Sequence, residues 1–386
     1  MKILHIGKYF LPFSGGIEYF MGSLIEEQLI QGHSVSAIVH HHLEKEKTSI
    51  IDYKGADIHL LKTFGTIPYV PLSLGFYKKY NQVVKGFKPD VIHLHLPNVS
   101  AFFGLFLPAA GKIPWVIHWH SDVLDHSSPR FIKMLYPFYR IFENSLLRRA
   151  KRVIATSPTY ARTSIPLSNF TEKVVVIPLG LQPLPHFSVP KPVDTVPNVL
   201  KLLCIGRLSY YKGYTHLLKA VSIAVRRGVD LKLEIVGAGE FMDILVAQVE
   251  KRGLSGQVQL LGHVPDLVRD EKLNQCDLLC LPSIERTEAF GLVLLEAMSV
   301  GKPCLVSDVR GSGMSWVVVN GETGFVYKAG DSNELALKLA EISRNPGKLP
   351  EMGKAGYRRF VEMFQIPVIV SRIEQLYRQI LDGKAS

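Results

Sequence analysis

The chain has 386 residues, 47% hydrophobic and 20% charged, a size that predicts two domains and a composition that excludes disorder over most of its length. Its 45 Lys and Arg against 34 Asp and Glu give a formal net charge of +11, which calls for an anionic partner: nucleic acid, a membrane surface or phosphorylated small molecules. The most apolar stretch, residues 99–110, is too short for a membrane span of roughly 20 residues and contains Pro108.

The opening run, MKILHIGKYF, lacks an apolar h-region and a small-residue cleavage site, so it predicts a strand rather than a signal peptide. Strand-like runs at 2–9, 35–40, 57–61, 91–96, 115–120, 152–155 and 174–177 alternate with helical stretches such as 16–31, 72–87 and 129–149. Near-continuous apolar strands separated by helices predict a parallel sheet covered on both faces. Residues 182–198 hold Pro183, Pro185, Pro190, Pro192 and Pro197 and are expected to form a linker. The pattern then restarts, with strands at 201–205, 231–236, 258–261, 278–281 and 304–307 and helices at 212–228, 240–253, 266–275, 290–300 and 332–344. The expected fold is α/β, two Rossmann-like doubly wound domains (1–181 and 199–365) facing each other across a cleft. The tail is helical and amphipathic, and its last part, 366–386, either belongs to the second domain or crosses back to the first.

Cys204, Cys276, Cys280 and Cys304 are too few for a disulfide scaffold and read as buried thiols in a reducing compartment. The charge is uneven: residues 1–190 carry 20 basic and 12 acidic side chains, and the remainder 25 and 22. Within the first half, residues 130–152 hold seven basic residues, one acidic residue and five aromatics. Such a helix either lies on an anionic bilayer or packs its aromatics inward and exposes its cations.

In open α/β sheets ligands bind beyond the carboxyl ends of the strands, so chemistry is sought there. The run ERTEAFGLVLLEAMSVGKP (285–303) follows such a strand. Counted as helix, Glu288 and Glu296 are about 12 Å apart, too far for a glycosidase pair but suited to one ligand touched twice. The backbone N–H groups of Phe290, Gly291 and Leu292 open that helix and suit a diphosphate. The alternative is an acidic residue favouring the helix dipole plus a solvated mid-helix Glu. Upstream, Gly206-Arg207 ends a strand and Lys212 follows at the next helix start, where cations are disfavoured unless an anion binds. Gly237, in Gly-x-Gly after the following strand, is a weak signal alone. In the first half, Ser14-Gly15-Gly16 opens a helix and leaves backbone N–H groups available to a ligand. His118 and His120 alternate along one strand, as His93 and His95 do along another. A metal site is one reading, but no zinc-type spacing and no Asp-x-Asp occurs. His120 is expected to contact a ligand, His118 to be packed, and residues 40–42 to form a solvated loop.

Together, GGIE (15–18), HSD (120–122), GRLSYYKG (206–213), VGAGE (236–240), EAFGLVLLEAMSVGKP (288–303) and VVNGETGF (318–325) resemble the family-4 retaining glycosyltransferases of GT-B fold. Details such as HWHSD and ERTEAFG are similar to bacterial polysaccharide and O-antigen mannosyl- or rhamnosyltransferases. The resemblance implies an acceptor-side first domain and a nucleotide-sugar-binding second domain. Arg207 and Lys212 would hold the donor diphosphate, Glu288 the sugar hydroxyls and Glu296 the ribose. His263 and Val264 would flank the base, Gly16 would let its loop approach donor phosphate or acceptor, and His120 would lie near the sugar's primary hydroxyl. It implies a nucleotide sugar as co-substrate, GDP-linked rather than UDP-linked, with no cofactor and no metal. The acceptor would be a lipid-linked or oligosaccharide glycan, and the place of action cytoplasmic or peripheral on the inner face of the membrane. A nucleotide-sugar epimerase of the same architecture is the alternative. A nucleic-acid-binding protein is disfavoured, because no recognition module appears.

Overall fold

A computed structural model describes residues 1–13, 15–43, 46–67, 70–123, 130–183 and 199–383. Ser14 and the expected linker from residue 184 onward lie outside the described residues. The chain divides into two units, Met1–Gly180 with Ile366–Ser386, and Leu181–Gln365.

The first unit runs β1 (Lys2–Ile6), α1 (Gly16–Ile30), β2 (Ser34–His40), β3 (Ser49–Tyr53), β4 (Ala56–Leu61), a small hairpin of β5 (Thr66–Ile67) and β6 (Val70–Pro71), α2 (Phe76–Phe87) and β7 (Val91–Leu96). A 3₁₀ helix (Val99–Phe106), β8 (Trp115–Trp119), α3 (Arg130–Arg149), β9 (Arg152–Ala155), α4 (Pro158–Thr163) and β10 (Val174–Val176) follow. The eight-stranded sheet has the order β10-β9-β8-β7-β1-β2-β4-β3, parallel except for β3 against β4. Strands 7 and 8 are buried at every position, the signature of a sheet covered on both faces.

Two expectations change here, at the helix from 72 and at His40. The helix expected from 72 starts at Phe76, because the Phe64 N–H donates to the Leu72 carbonyl and the Leu72 N–H to the Gly65 carbonyl, which extends the hairpin. The apolar stretch at 99 is a 3₁₀ helix, started by the Asn98 side chain accepting from the Ser100 N–H at 3.1 Å. His40 does not belong to a solvated loop. It ends β2, 1% exposed, with Nδ1 2.8 Å from the Lys8 carbonyl and Nε2 2.9 Å from the Ser100 hydroxyl. Burial pushes its pKa down to about 4.

The second unit runs β11 (Leu200–Ile205), a 3₁₀ turn (Tyr210–Lys212), α5 (Tyr214–Arg226), β12 (Leu231–Val236), α6 (Met242–Lys251), β13 (Val258–Gly262), α7 (Asp266–Gln275) and β14 (Leu278–Leu281). It continues with α8 (Leu292–Ser299), β15 (Cys304–Asp308), α9 (Met314–Val317), β16 (Gly324–Lys328), α10 (Ser332–Arg344) and α11 (Leu349–Met363). Its parallel sheet has the order β13-β12-β11-β14-β15-β16. All four cysteines are buried, unpaired thiols in this unit.

The last helix, α12 (Ile366–Leu381), belongs to the first unit. It packs against α1 through a stripe of Ile369, Val370, Ile373, Leu376, Tyr377 and Ile380, the spacing of one helix face. Arg372 also donates to the Val176 carbonyl at 3.0 Å. Among the described residues no helix is long and apolar enough to cross a membrane.

In each sheet the strand order reverses at one place, between β1 and β7 and between β11 and β14. A doubly wound sheet opens a crevice at such a switch point, beyond the carboxyl ends of the strands. These two places locate the candidate site residues.

Candidate active site

In the second unit the loops after β11 and β14 meet at the switch point. Gly206 leaves β11 at φ +154°, a conformation only glycine adopts readily, and a Cβ there would lie 3.2 Å from Lys212 Nζ. The missing side chain is what lets the Lys212 amine cross the end of its own strand. Lys212 closes the 3₁₀ turn just before α5, and its Nζ stands 2.5 Å from Glu288 Oε2. The two side chains are only 10% and 12% exposed. Burial acts to lower the Lys212 pKa, but the Glu288 carboxylate raises it and prevails, so the amine stays charged.

Glu288 is held from two further sides. The Ser283 hydroxyl donates to its carboxylate at 3.3 Å, and the Ser312 hydroxyl donates to its backbone carbonyl. Neither serine was anticipated, because a lone Ser in a strand-end loop carries no pattern of its own. Arg207 is exposed beside this pair.

The helix after Glu288 differs from the expectation. It starts at Leu292, since Gly291 sits at φ +83° and a left-handed residue interrupts α-helical continuity. Glu288 therefore lies outside the helix and Glu296 one turn into it, so the 12 Å spacing counted on a continuous helix does not apply. The Phe290 side chain is 3% exposed and packs near Trp316 and Phe364. With Gly291 as cap, the N–H groups of Gly291 and Leu292 stand at the start of α8, where intrahelical acceptors are lacking, and the Phe290 N–H lies just outside the helix. Glu296 is half-buried rather than solvated. Burial raises its carboxyl pKa and Arg269 of α7 pulls it back. Arg269, a third unanticipated residue, is itself paired with Asp266 at 3.1 Å and Asp270 at 2.8 Å.

Gly237 (φ +146°) leaves β12 so close to β11 that a Cβ would stand 1.9 Å from the Gly206 carbonyl oxygen. It allows the strand-end loops to stack. His263, exposed, and Val264, half-buried, follow β13 at the same end of the sheet.

In the first unit Gly15 caps α1, and a Cβ there would meet the Glu18 carboxylate at 2.1 Å. Gly16 is the first residue of α1. Parallel register sets His5 of β1 opposite His93 of β7, and His95 of β7 opposite His118 of β8. Alternation then places His5, His93, His95, His118 and His120 on one face of the sheet, all 4% exposed or less, beneath Gln28 and Phe20 of α1 and Tyr377 of α12. His118 and His120 stack with centroids 4.5 Å apart.

Nitrogens of His93, His95 and His118 lie within 4.8 Å of one another. Each of these rings already hydrogen-bonds to another ring, His93 to His118 at 3.3 Å and His95 to His5 and His120 at 3.0 and 3.1 Å. Among the described residues the remaining hydrogen-bond partner of these rings is the Tyr377 hydroxyl, and none is a carboxylate that would neutralise a divalent ion. The arrangement suits a network of neutral imidazoles. Beyond His120 the loop is pinned by Asp122, whose carboxylate accepts from Trp119 Nε1 at 2.8 Å and the Ser164 hydroxyl at 2.7 Å.

Residues 15–180 match the family described as glycosyl transferase 4-like domain, and residues 191–359 match glycosyl transferases group 1. D-rhamnosyltransferase WbpZ of Pseudomonas aeruginosa is 29% identical over all of this chain and 98% of its own length. O-antigen chain mannosyltransferase C of Escherichia coli is 28% identical over the full length of both. Among solved structures, sucrose-phosphate synthase from Thermosynechococcus elongatus superposes with a TM-score of 0.81 at 22% identity, covering 99% of each chain.

Proposed function

Because the chain belongs to the family-4 glycosyltransferases of GT-B fold, we propose that it transfers a hexosyl unit, with retention and without a metal, from a nucleoside diphosphate sugar to a growing or lipid-linked glycan of a cell-surface polysaccharide such as O-antigen. The carrying observation is the buried Lys212–Glu288 pair at the β11–β14 switch point, beside exposed Arg207 and the start of α8. Lys212 and Arg207 supply the charge-assisted donors that stabilise the departing diphosphate, the dominant contribution in such a transfer. The N–H groups at Phe290, Gly291 and Leu292 add neutral donors. Glu288 turns its free oxygen to the sugar hydroxyls, and Glu296 takes the ribose. His263 and Val264 flank the base. Gly15 and Gly16 let the α1 loop come close to donor or acceptor. GDP-mannose or a related GDP-deoxyhexose is the proposed donor, supported by likeness to a rhamnosyltransferase and a mannosyltransferase.

The protein acts at the cytoplasmic face of the membrane, bound peripherally through α3. Met134, Phe138, Ile141 and Phe142 are 67%, 66%, 61% and 38% exposed and share one helix face, flanked by exposed Arg130 and Lys133. An apolar face with basic flanks docks on anionic lipid. Phe138→Ser with Ile141→Ser should abolish flotation with anionic vesicles; flotation equal to wild type would refute the docking face.

A panel of GDP- and UDP-sugars, read by nucleoside diphosphate release with and without glycan acceptor, tests the reaction. Acceptor-dependent release with one GDP-hexose is expected. Conversion of the donor to its epimer without any acceptor would overturn the reading.

A further inference from the structure

Three of the buried imidazoles stand in one line behind Gln28. Gln28 is placed with Oε1 2.8 Å from His5 Nε2 and with its Nε2 meeting no partner among the described residues; with the oxygen so assigned it can only accept, and His5 carries its proton on Nε2. Burial keeps these rings neutral: it pushes His5 to about 4, His120 to about 3 and His95 well below the usual range. A neutral imidazole has a single N–H. His5 Nδ1 is therefore a lone pair, and His95 Nε2, 3.0 Å away, donates to it. His95 Nδ1 is then the acceptor for His120 Nε2 at 3.1 Å. The direction of every bond follows from the amide at the inner end.

The line ends at His120 Nδ1, which is left as a lone pair. His120 is 4% exposed, and this nitrogen has no hydrogen-bond partner among the described residues. It stands at the carboxyl end of β8, where its backbone N–H is tied to the Leu96 carbonyl at 3.0 Å. A buried acceptor without a donor is destabilised, and an arriving hydroxyl relieves it.

We propose that Gln28, His5 and His95 are positioning residues that hold His120 as its Nε2–H tautomer, so that His120 Nδ1 accepts a hydrogen bond from a saccharide hydroxyl. The identity of the hydroxyl rests on the glycosyltransferase reading; the tautomer does not. A site that presents a fixed lone pair discriminates against a ligand lacking the matching proton, because the buried nitrogen is then left unpaired. The hydroxyl belongs either to the donor sugar or to the acceptor glycan.

Long-range proton–nitrogen correlation spectra of the full chain, labelled with 15N-histidine, read the tautomer directly and need no substrate. The proton is expected on His120 Nε2; finding it on Nδ1 overturns the proposal. Gln28→Leu removes the amide at similar volume and is expected to leave His120 as a mixture of tautomers. It should also lower kcat/KM about tenfold, the scale of one hydrogen bond to a misdirected partner. Gln28→Glu keeps an acceptor and is expected to retain the Nε2–H form. An unchanged His120 spectrum in folded Gln28→Leu refutes the positioning role, and a scrambled tautomer with unchanged kinetics refutes the substrate contact. If Gln28→Leu does not fold, the wild-type and Gln28→Glu spectra still decide the tautomer. A Gln28→Leu defect already present in donor hydrolysis without acceptor assigns the hydroxyl to the donor, and one confined to transfer assigns it to the acceptor. Wild-type protein inactive on every nucleotide sugar would sink the functional reading and leave the tautomer measurement standing.

Discussion

Replacing Lys212 by Met keeps the apolar stem against Gly206 and removes only the charge, which makes it the sharpest perturbation of the second unit. In the folded protein the amine and the Glu288 carboxylate are 2.5 Å apart and about nine-tenths covered. Taking away one partner of such a pair strands the other, at a cost of about 3–5 kcal/mol. Against a total stability on the order of 5–15 kcal/mol, Lys212→Met should still fold but unfold at markedly lower denaturant. Glu288→Gln strands the amine instead, though Ser283 still reaches its side chain. The double variant should therefore cost well under the sum of the two singles, with a coupling of roughly 2 kcal/mol. Turnover behaves differently. Both Lys212→Met and the double variant lack the cation that stabilises the leaving diphosphate, and both should lose about 10²–10³ in kcat, the scale of one lost oxyanion donor. Stability from urea melts and kcat from nucleoside diphosphate release, measured on the same preparations, separate the two effects. Additive stability losses would refute the ion pair, and wild-type kcat in Lys212→Met would refute the role in leaving-group stabilisation.

Glu296→Ala should weaken donor binding about tenfold in calorimetry with kcat at saturation little changed; normal affinity would remove Glu296 from the nucleotide site. Gly237→Ala places a Cβ 1.9 Å from the Gly206 carbonyl oxygen at φ +146°, so it should destabilise by about 3 kcal/mol and lower Tm; an unchanged Tm would contradict the close loop stacking. His5, His40 and His120 have folded pKa values of about 4, 4 and 3, below the unfolded value. The unfolded chain then binds more protons, so stability present at pH 7 falls as pH drops below about 6.5. The loss is about 1.4 kcal/mol per pH unit for each such histidine and levels off below the folded values. Calorimetric Tm from pH 7 to 5 should decline steeply; a flat profile would mean that these rings are not buried neutral.

The doubly wound architecture was legible because each central strand is a continuous apolar run bounded by helical stretches, a pattern set by burial on both faces and independent of partners. The residues at strand ends were legible for the same reason: once the strands are located, Arg207, Lys212, Glu288 and His120 fall at their carboxyl ends. Short elements escaped. The edge strand β3, of five residues with alternating exposure, and the strand β16, which begins at Gly324, carry too little pattern to stand out. The break at Gly291 escaped too, since its φ of +83° and the Leu281 and Leu294 side chains filling the space a Cβ would need are features of the packed structure.

What local sequence determines is which residues alternate along a strand or share a helix face, because those periodicities are properties of the backbone alone. HLHL and HWH each foretold a pair of imidazoles on one face. Only tertiary structure decided that the β1–β7–β8 register brings His5 alongside the β7 pair and the β7 pair alongside the β8 pair, and that Gln28 and Tyr377 close over them. Residues 90 positions apart, such as His5 and His95, meet through hydrogen bonds between strands that no local pattern specifies. In the same way, the sequence marked Lys212 as a cation out of place at a helix start. The sheet's switch point supplied the carboxylate that keeps it charged.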